Sequence, residues 1–388
     1  MWATDGIPAR AATGDQHNPQ VVHDGSTGAI YVWSDTLGAV PGAQVYAQKQ
    51  DLVSGAPQWG VNGVAARTNF SNVNLKAAPD GSGGILITGM VWPFGPGNAS
   101  VFAQRLAAVS GTPQWSAQGV ELCSTLQNPQ HPQIAPDGSG GAVVAWHDAR
   151  GGDNDIYAQK SDASNGAPQW TANGIAVSSS SGDQEYPQIV QDGAGGVIIT
   201  WQDSRNGDYD IFAQRIDIAT GAPQWAADGV AVAATGGDQV SPMIVPDGIG
   251  GAVITWQDGR NGNDDIYAQS LSMASGASQW TTEGVVVCAA NEEQRNPRII
   301  YDGVEDVIIS WEDYRNGGNY DIYAQKVGMT TGAVQWGNNG TAVSVRSGNQ
   351  TEHRIVPNGS GGAIIIWKDD RSLDEDIYAQ EIRSNGTK

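Results

Sequence analysis

Five places in the chain set an aspartate two residues ahead of an arginine: Asp148/Arg150, Asp203/Arg205, Asp258/Arg260, Asp313/Arg315 and Asp369/Arg371. A guanidinium fork matches a carboxylate, so Arg150, Arg205, Arg260, Arg315 and Arg371 can either grip an acidic ligand or pair with the aspartate beside them. Each aspartate also follows a tryptophan by two, and residues two apart along a strand share one face. A group that recurs in near-equivalent settings suits holding a structure together better than acting once. The pairs are therefore expected to be partly buried and bidentate, joining loops to the next repeat, with a repeated ligand pocket as the rival reading.

The loops carrying these arginines are acidic, as in Asp203-Ser-Arg-Asn-Gly-Asp208-Tyr-Asp210 and Asp369-Asp-Arg-Ser-Leu-Asp-Glu-Asp376. Calcium takes six to eight oxygens, and an arginine inside each loop opposes it. No cofactor is therefore expected: the arginine opposes calcium, and Asn-Gly with a following Asp is ordinary turn chemistry, so calcium is the weaker reading of these loops. Five histidines lie at His17, His23, His131, His147 and His353. They form no set of three or four converging ligands, and are expected in solvated loops rather than at a metal. Nothing resembles a phosphate loop or a Ser-His-Asp arrangement, so no catalytic residue is assigned. The one departure rich in aromatics is Thr-Gly-Met-Val-Trp92-Pro-Phe94-Gly-Pro-Gly-Asn98, which replaces Trp-x-Asp-x-Arg by Gly89, Val91 and Pro93. Trp92, Phe94 and Asn98 are candidate binding residues there, a rigid aromatic being a good anchor for a protein or a sugar; the competing role for Trp92 is to fill the space left at Gly89.

The elements that position these residues follow from an internal repeat. A Tyr/Phe-Ala-Gln tripeptide begins at Tyr46, Phe102, Tyr157, Phe212, Tyr267, Tyr323 and Tyr378, always 55 or 56 residues apart. A period of this length marks an array of supersecondary units. In the fourth copy, Pro187 to Val190, Val197 to Trp201, Asp210 to Ile216 and Gln224 to Val232 are short extended pieces between Asp-Gly, Gly-Gly or Asn-Gly turns. Four short antiparallel strands, A to D, repeated seven times predict an all-β, seven-bladed β-propeller spanning 1–388 as one domain. Seven tryptophans fall in or before strand D and six end strand B, where they are expected to pack blades together. The last copy stops without strand D, while Trp2-Ala-Thr-Asp-Gly6-Ile7 matches Trp170-Thr-Ala-Asn-Gly174-Ile175. Residues 1–10 are therefore expected to complete the C-terminal blade, 345–388, and close the ring.

The repeat order of Pro-Ile-Val strand, Asp-Gly turn, strand ending in Trp-x-Asp, Asp-Ile-Tyr strand and turn-then-Trp resembles the sialidase-type (BNR, or Asp-box) propeller repeat over the whole chain. It is similar too to uncharacterised repeats in secreted bacterial proteins. The resemblance implies a propeller in an extracellular or cell-surface setting. It also implies a possible sialidase-like hydrolase, which would need a unique arginine cluster and a Tyr/Glu nucleophile pair; none stands out from the repeats.

The charge balance is 20 basic against 41 acidic residues, −21 in all, which disfavours nucleic acid and anionic membranes as partners. No apolar run approaches a membrane span, and the start lacks a signal-peptide layout. Cys123 and Cys288 each sit four residues after a glycine, in copies three apart, and are expected to be buried free thiols. Together these readings predict a monomeric, non-enzymatic binding or scaffold module of an extracellular protein. The alternative is a carbohydrate-binding propeller or a sialidase-like glycoside hydrolase.

Overall fold

The computed structural model describes residues 7–11, 13–36, 43–70, 74–92, 99–125, 128–372 and 374–388. All regular structure among them is strand. Twenty-seven strands build seven successive sheets, six of four strands and one of three. In every sheet neighbouring strands are consecutive and antiparallel, and this series of meanders is a seven-bladed β-propeller. Blade one is β1(Asp15–His23) to β4(Val64–Phe70), and blade two is β5(Lys76–Pro79) to β8(Val120–Ser124). Blade three is β9(Gln130–Pro136) to β12(Ile175–Ser178), blade four β13(Gln184–Gln191) to β16(Val230–Ala233), and blade five β17(Gln239–Pro246) to β20(Val285–Cys288). Blade six is β21(Gln294–Tyr301) to β24(Thr341–Ser344), and blade seven is β25(Gln350–Pro357), β26(Ala363–Asp369) and β27(Asp376–Ile382).

Two compact units divide the chain, Met1–Ser179 with Ile216–Ala222 and Ser180–Arg215 with Pro223–Lys388. The first therefore carries blades one to three, and the second blades four to seven. Inside each unit the first strands of successive blades lie side by side, and each hydrophobic core is shared by two neighbouring blades. Strand B is buried on both faces for this reason, as in β14(Gly196–Asp203), whose eight residues are all buried.

The tryptophans before strand D lock one blade to the next. Trp225 donates its Nε1 hydrogen to the Met273 carbonyl of the following blade at 2.9 Å, and Trp280 does the same to Met329 at 3.1 Å. The ring lies flat on the next blade's turn. A Cβ at Gly276 would stand 2.7 Å from Trp225, and the residue has φ +71, so only glycine fits. The tryptophans ending strand B stack instead within their own blade, Trp256 over Tyr267 at 6.3 Å between centroids. The buried Gln of the Tyr-Ala-Gln repeat ties the last segment down: Gln269 Oε1 accepts the Trp280 N–H at 3.0 Å while Nε2 donates to the Thr281 carbonyl.

The fourth strand is shorter than its sequence suggests. The segment Gln224 to Val232 contains a strand only at Val230–Ala233, because Gly229 turns the chain with φ +88 before pairing begins. Residues 1–6, most of the segment expected to complete blade seven, lie outside the described residues, as does Leu37, which stands at the arginine place of blade one.

Candidate functional site

The five Asp–Arg pairs are built into the packing of their own blades. Their aspartates are fully buried, and each arginine donates from Nε to Asp Oδ1 at 2.7 to 2.8 Å. The other carboxylate oxygen accepts the indole N–H of the tryptophan two residues back, at 2.6 Å for Trp256 and Asp258. The guanidinium then lies over the aromatic ring of strand C, 3.6 to 4.1 Å from its centroid. A last donor reaches a carbonyl before strand D, as Arg260 does to Glu283 at 2.9 Å. The sequence suggested a link to the next blade; the pairs instead clamp strands B, C and D of one blade, because the extended side chain folds back over its own sheet. Contact with the preceding blade comes through thiols: Cys288 Sγ lies 3.3 Å from Arg315 Nη2, and Cys123 Sγ 3.3 Å from Arg150 Nη2. Both cysteines are free and buried, and burial pushes the Cys288 thiol up to about 12.

Blades one and two, which lack the local arginine, receive one from elsewhere. Arg10 Nε stands 2.6 Å from Asp35 Oδ2, its Cζ lies 3.8 Å from the Tyr46 centroid, and Nη1 donates to the Asn62 carbonyl at 2.9 Å. These are the contacts the other blades make with their own arginine. In blade two, Arg67 from β4 lies 4.8 Å from the Phe102 ring and donates to the Gln118 carbonyl at 2.6 Å. Arg10, Arg67, Cys123 and Cys288 all sit four residues after a glycine. In blades two, three and six this residue comes from the fourth strand of the preceding blade, β4, β8 or β20, and faces the arginine place.

The residues that do differ from blade to blade gather at the head of the first strands. Every first strand but β5 carries a β-bulge, and the bulged residue is left-handed without being glycine: Tyr186 (φ 52), Ser241 (φ 57) and Asn296 (φ 54) in blades four to six. A proline follows each, Pro187, Pro242 and Pro297, fixing the exit of the kink. Bulges re-aim side chains and collect near functional sites. Here the three left-handed residues line one open cleft of 230 Å³ together with Gln188, Gln202, Met243 and Arg298. Gln202 Oε1 faces the Ser241 N–H at 3.4 Å, and Glu312 Oε2 accepts from Asn296 Nδ2 at 3.0 Å. Tyr186 leaves 42% of its surface exposed at the rim.

Two further clefts in the same unit differ in character. One of 270 Å³ is lined by Arg295, Tyr320, Asn349, Lys368, Asp370 and Glu375, whose charges already satisfy one another. Lys368 pairs with Glu375 at 2.8 Å, Arg295 with Glu312 at 3.1 Å, and Asn349 Nδ2 donates to Asp370 at 3.1 Å. The larger, 630 Å³, is an apolar groove beside Ile249, Met273, Tyr301, Val304 and Met329. Two tyrosine–glutamate pairs stand near the first of these clefts and the bulges: Tyr320 donates to Glu293 at 2.8 Å and Tyr209 to Glu185 at 3.0 Å. Burial first, and then the neighbouring glutamate, push both phenols up to about 12. They are hydrogen-bond donors at neutral pH rather than nucleophiles.

Two histidines overturn the expectation of solvated loops. His147 lies buried on β10(Ala142–Asp148), with its ring centroid 5.2 Å from that of His131. His353 is 1% exposed on β25, at the place other blades give to proline, and burial and Arg298 hold its pKa down to about 3. The acidic loops spend their oxygens on the protein: Asp208 accepts the Gly237 N–H and Asp210 accepts from Asn206 Nδ2. Among the described residues no group of three or more His, Cys, Asp or Glu is placed to hold a metal. Gln184, Gln239, Gln294 and Gln350, each three residues ahead of the proline place in blades four to seven, donate to loop carbonyls. Trp92 is half-buried at the end of β6(Ile85–Val91), whereas Phe94 and Asn98 lie outside the described residues. No helix among the described residues is long and apolar enough to cross a membrane.

No family model and no curated protein matches the chain. Solved structures do. An ulvan lyase, described as a new family of polysaccharide lyase, aligns over 98% of this chain and 96% of its own at 10% identity, with a TM-score of 0.56. A structure of such an ulvan lyase bound to a GlcA-Rha saccharide gives 0.55 at 11% identity, over 98% of this chain and 96% of that one. The polysaccharide lyase Uly1 gives 0.52 at 10% identity, over 99% and 92%. These neighbours are carbohydrate-active enzymes, and at such identities the likeness is one of fold.

Proposed function

We propose that this propeller is a non-enzymatic, carbohydrate-binding module of an extracellular protein, and that the ligand lies in the cleft of Tyr186, Gln188, Gln202, Ser241, Asn296 and Arg298. The observation that carries the reading is the convergence of three left-handed bulge residues from successive blades on one polar cleft. A strained backbone persists only where its surroundings over-determine it, and the usual reason is a site. Amides, a hydroxyl and a phenol with a half-open ring are the groups that hydrogen-bond and stack on a sugar. The polysaccharide lyases of similar fold support a saccharide as the ligand class. Hydrolysis of the sialidase type is the weaker reading: both Tyr–Glu pairs keep the phenol protonated, and the arginines that repeat are consumed by their own aspartates.

A glycan array followed by calorimetry tests this, with and without calcium. Binding is expected to be lost in Tyr186→Ala and Asn296→Ala while the unfolding midpoint stays within about 1 kcal/mol of the parent, as for surface changes. An empty array, or variants that bind like the parent, would refute the site.

A further inference from the structure

Arg298 differs from the arginines that pair with an aspartate in the repeat frame. It lines the cleft, is half-buried, and has no ion pair with an Asp or Glu among the described residues. Its Nη1 reaches only the Met243 sulfur at 3.5 Å and the Pro297 carbonyl at 3.3 Å. Glu312 is near enough to favour the charge, but its oxygens are taken by Arg295 Nε at 3.1 Å, Asn296 Nδ2 at 3.0 Å and the Glu352 N–H at 2.8 Å. Arg354, the equivalent residue of the next blade, adds a second positive charge, and its Nη1 reaches only the His353 and Glu352 carbonyls. Burial and Arg354 push the Arg298 pKa down to about 10, and His353, between them in the sequence, stays neutral for the same reason. Partly buried positive charge left without a counter-ion is costly, and neutral hydrogen-bonding groups cannot offset it.

Resting on the reading of the cleft as a saccharide site, the geometry points to an anionic sugar as the ligand, its charged group held by Arg298 with Arg354 behind it. A carboxylate or a sulfate ester supplies the missing acceptor, and Gln188 and Asn296 stand beside it in the cleft wall. The net charge of −21 does not oppose this, because it is screened beyond about 8 Å at physiological salt. The local imbalance decides.

The test uses the full chain and three matched probes: a glucuronate oligosaccharide, its carboxyl-reduced neutral counterpart, and the sulfate ester of that neutral sugar. At least one anionic probe is expected to bind about tenfold or more tighter than the neutral one. The preference should collapse in Arg298→Gln, weaken in Arg354→Gln and survive in Arg298→Lys; the exposed Arg354 gives a variant that folds if the first does not. Carboxylate-only or sulfate-only binding identifies the source of the charge. Equal binding of neutral and anionic probes overturns the anion inference and leaves the saccharide reading standing. Binding of none overturns both.

Discussion

Arg10→Ala is the sharpest probe of how the repeats are held. The aspartate it leaves behind, Asp35, is fully buried, and the Arg10 side chain itself is 9% exposed, so little solvent screens the contact. Breaking a buried pair from one side costs about 3 to 5 kcal/mol. Two features set the figure in blade one. The 2.6 Å approach is an ion contact rather than an aligned hydrogen bond, and Trp33 Nε1 has no partner among the described residues, so after the substitution that indole can turn towards Asp35 as its counterparts do. Regaining one bond to a charged acceptor offsets about 1.5 kcal/mol. Loss of the contact over Tyr46 adds about 0.5 to 1 kcal/mol back. The net expectation is about 3 kcal/mol, read as a fall in the urea midpoint at constant slope. Arg10→Ala with Asp35→Asn should recover most of it, since no bare charge is left. Restoring the arginine where five blades carry it, as Arg10→Ala with Leu37→Arg, should recover it too. If Arg10→Ala unfolds within about 0.5 kcal/mol of the parent, the pair is effectively solvent-screened and the reasoning fails.

Three other outcomes follow from the same geometry. Arg260→Met should destabilise by about 3 kcal/mol, and Asp258→Asn added to it should return most of that loss, a double-mutant cycle in which additive effects would speak against a buried pair. His353 is held at about 3 against an ordinary 6.5, so between those values the unfolded chain binds a proton the folded chain does not. Stability is then expected to fall as pH drops below about 6.5, by up to about 1.4 kcal/mol per unit, and His353→Pro, the residue of five other blades, should flatten that slope; an unchanged slope would assign it to other groups. The segment 1–10 is expected to complete blade seven, since residue 10 makes on blade one the contacts that fourth strands make on the following blade. Deleting residues 1–8 should lower the melting temperature by the equivalent of a tryptophan truncation, about 3 to 5 kcal/mol, and an unshifted melt would remove that proposal.

The blades were legible because their signals are local and repeated. Asp-Gly turns, a β-branched run ending in Trp201 and the Asp-Ile-Phe-Ala-Gln214 strand each name their own structure, and seven copies make the period plain. The Asp–Arg pairs were legible for the same reason. What repetition hid was the exchange of one arginine for another: Leu37 and Pro93 look like losses until Arg10 and Arg67 are seen over the rings of Tyr46 and Phe102. No spacing rule connects those residues, because the contact crosses from one blade to the next. His353 was misplaced by its neighbours, since a residue between Glu352 and Arg354 looks exposed until the bulge turns it inward.

The cleft was hidden differently, by attention to what repeats. Outside blade two the bulge residue is Asn18, His131, Tyr186, Ser241, Asn296 and Glu352 in turn, a varied position inside a constant frame, and its backbone is left-handed in all six. Constancy of the frame is structural; freedom of its one side chain is what a binding surface requires. Holding Tyr186, Ser241 and Asn296 there costs about 3 to 6 kcal/mol together, a large part of a domain's net stability. The blades meet that cost partly with the residue inside Trp-x-Asp, since Gln202 and Glu312 each accept the N–H of the next blade's bulge residue. Those acceptors also wall the cleft or lie beside it, so the groups that hold the strain in place are the ones a ligand would meet. Arg298, two residues past its bulge and without a carboxylate of its own, is where that arrangement leaves a charge for something else to answer.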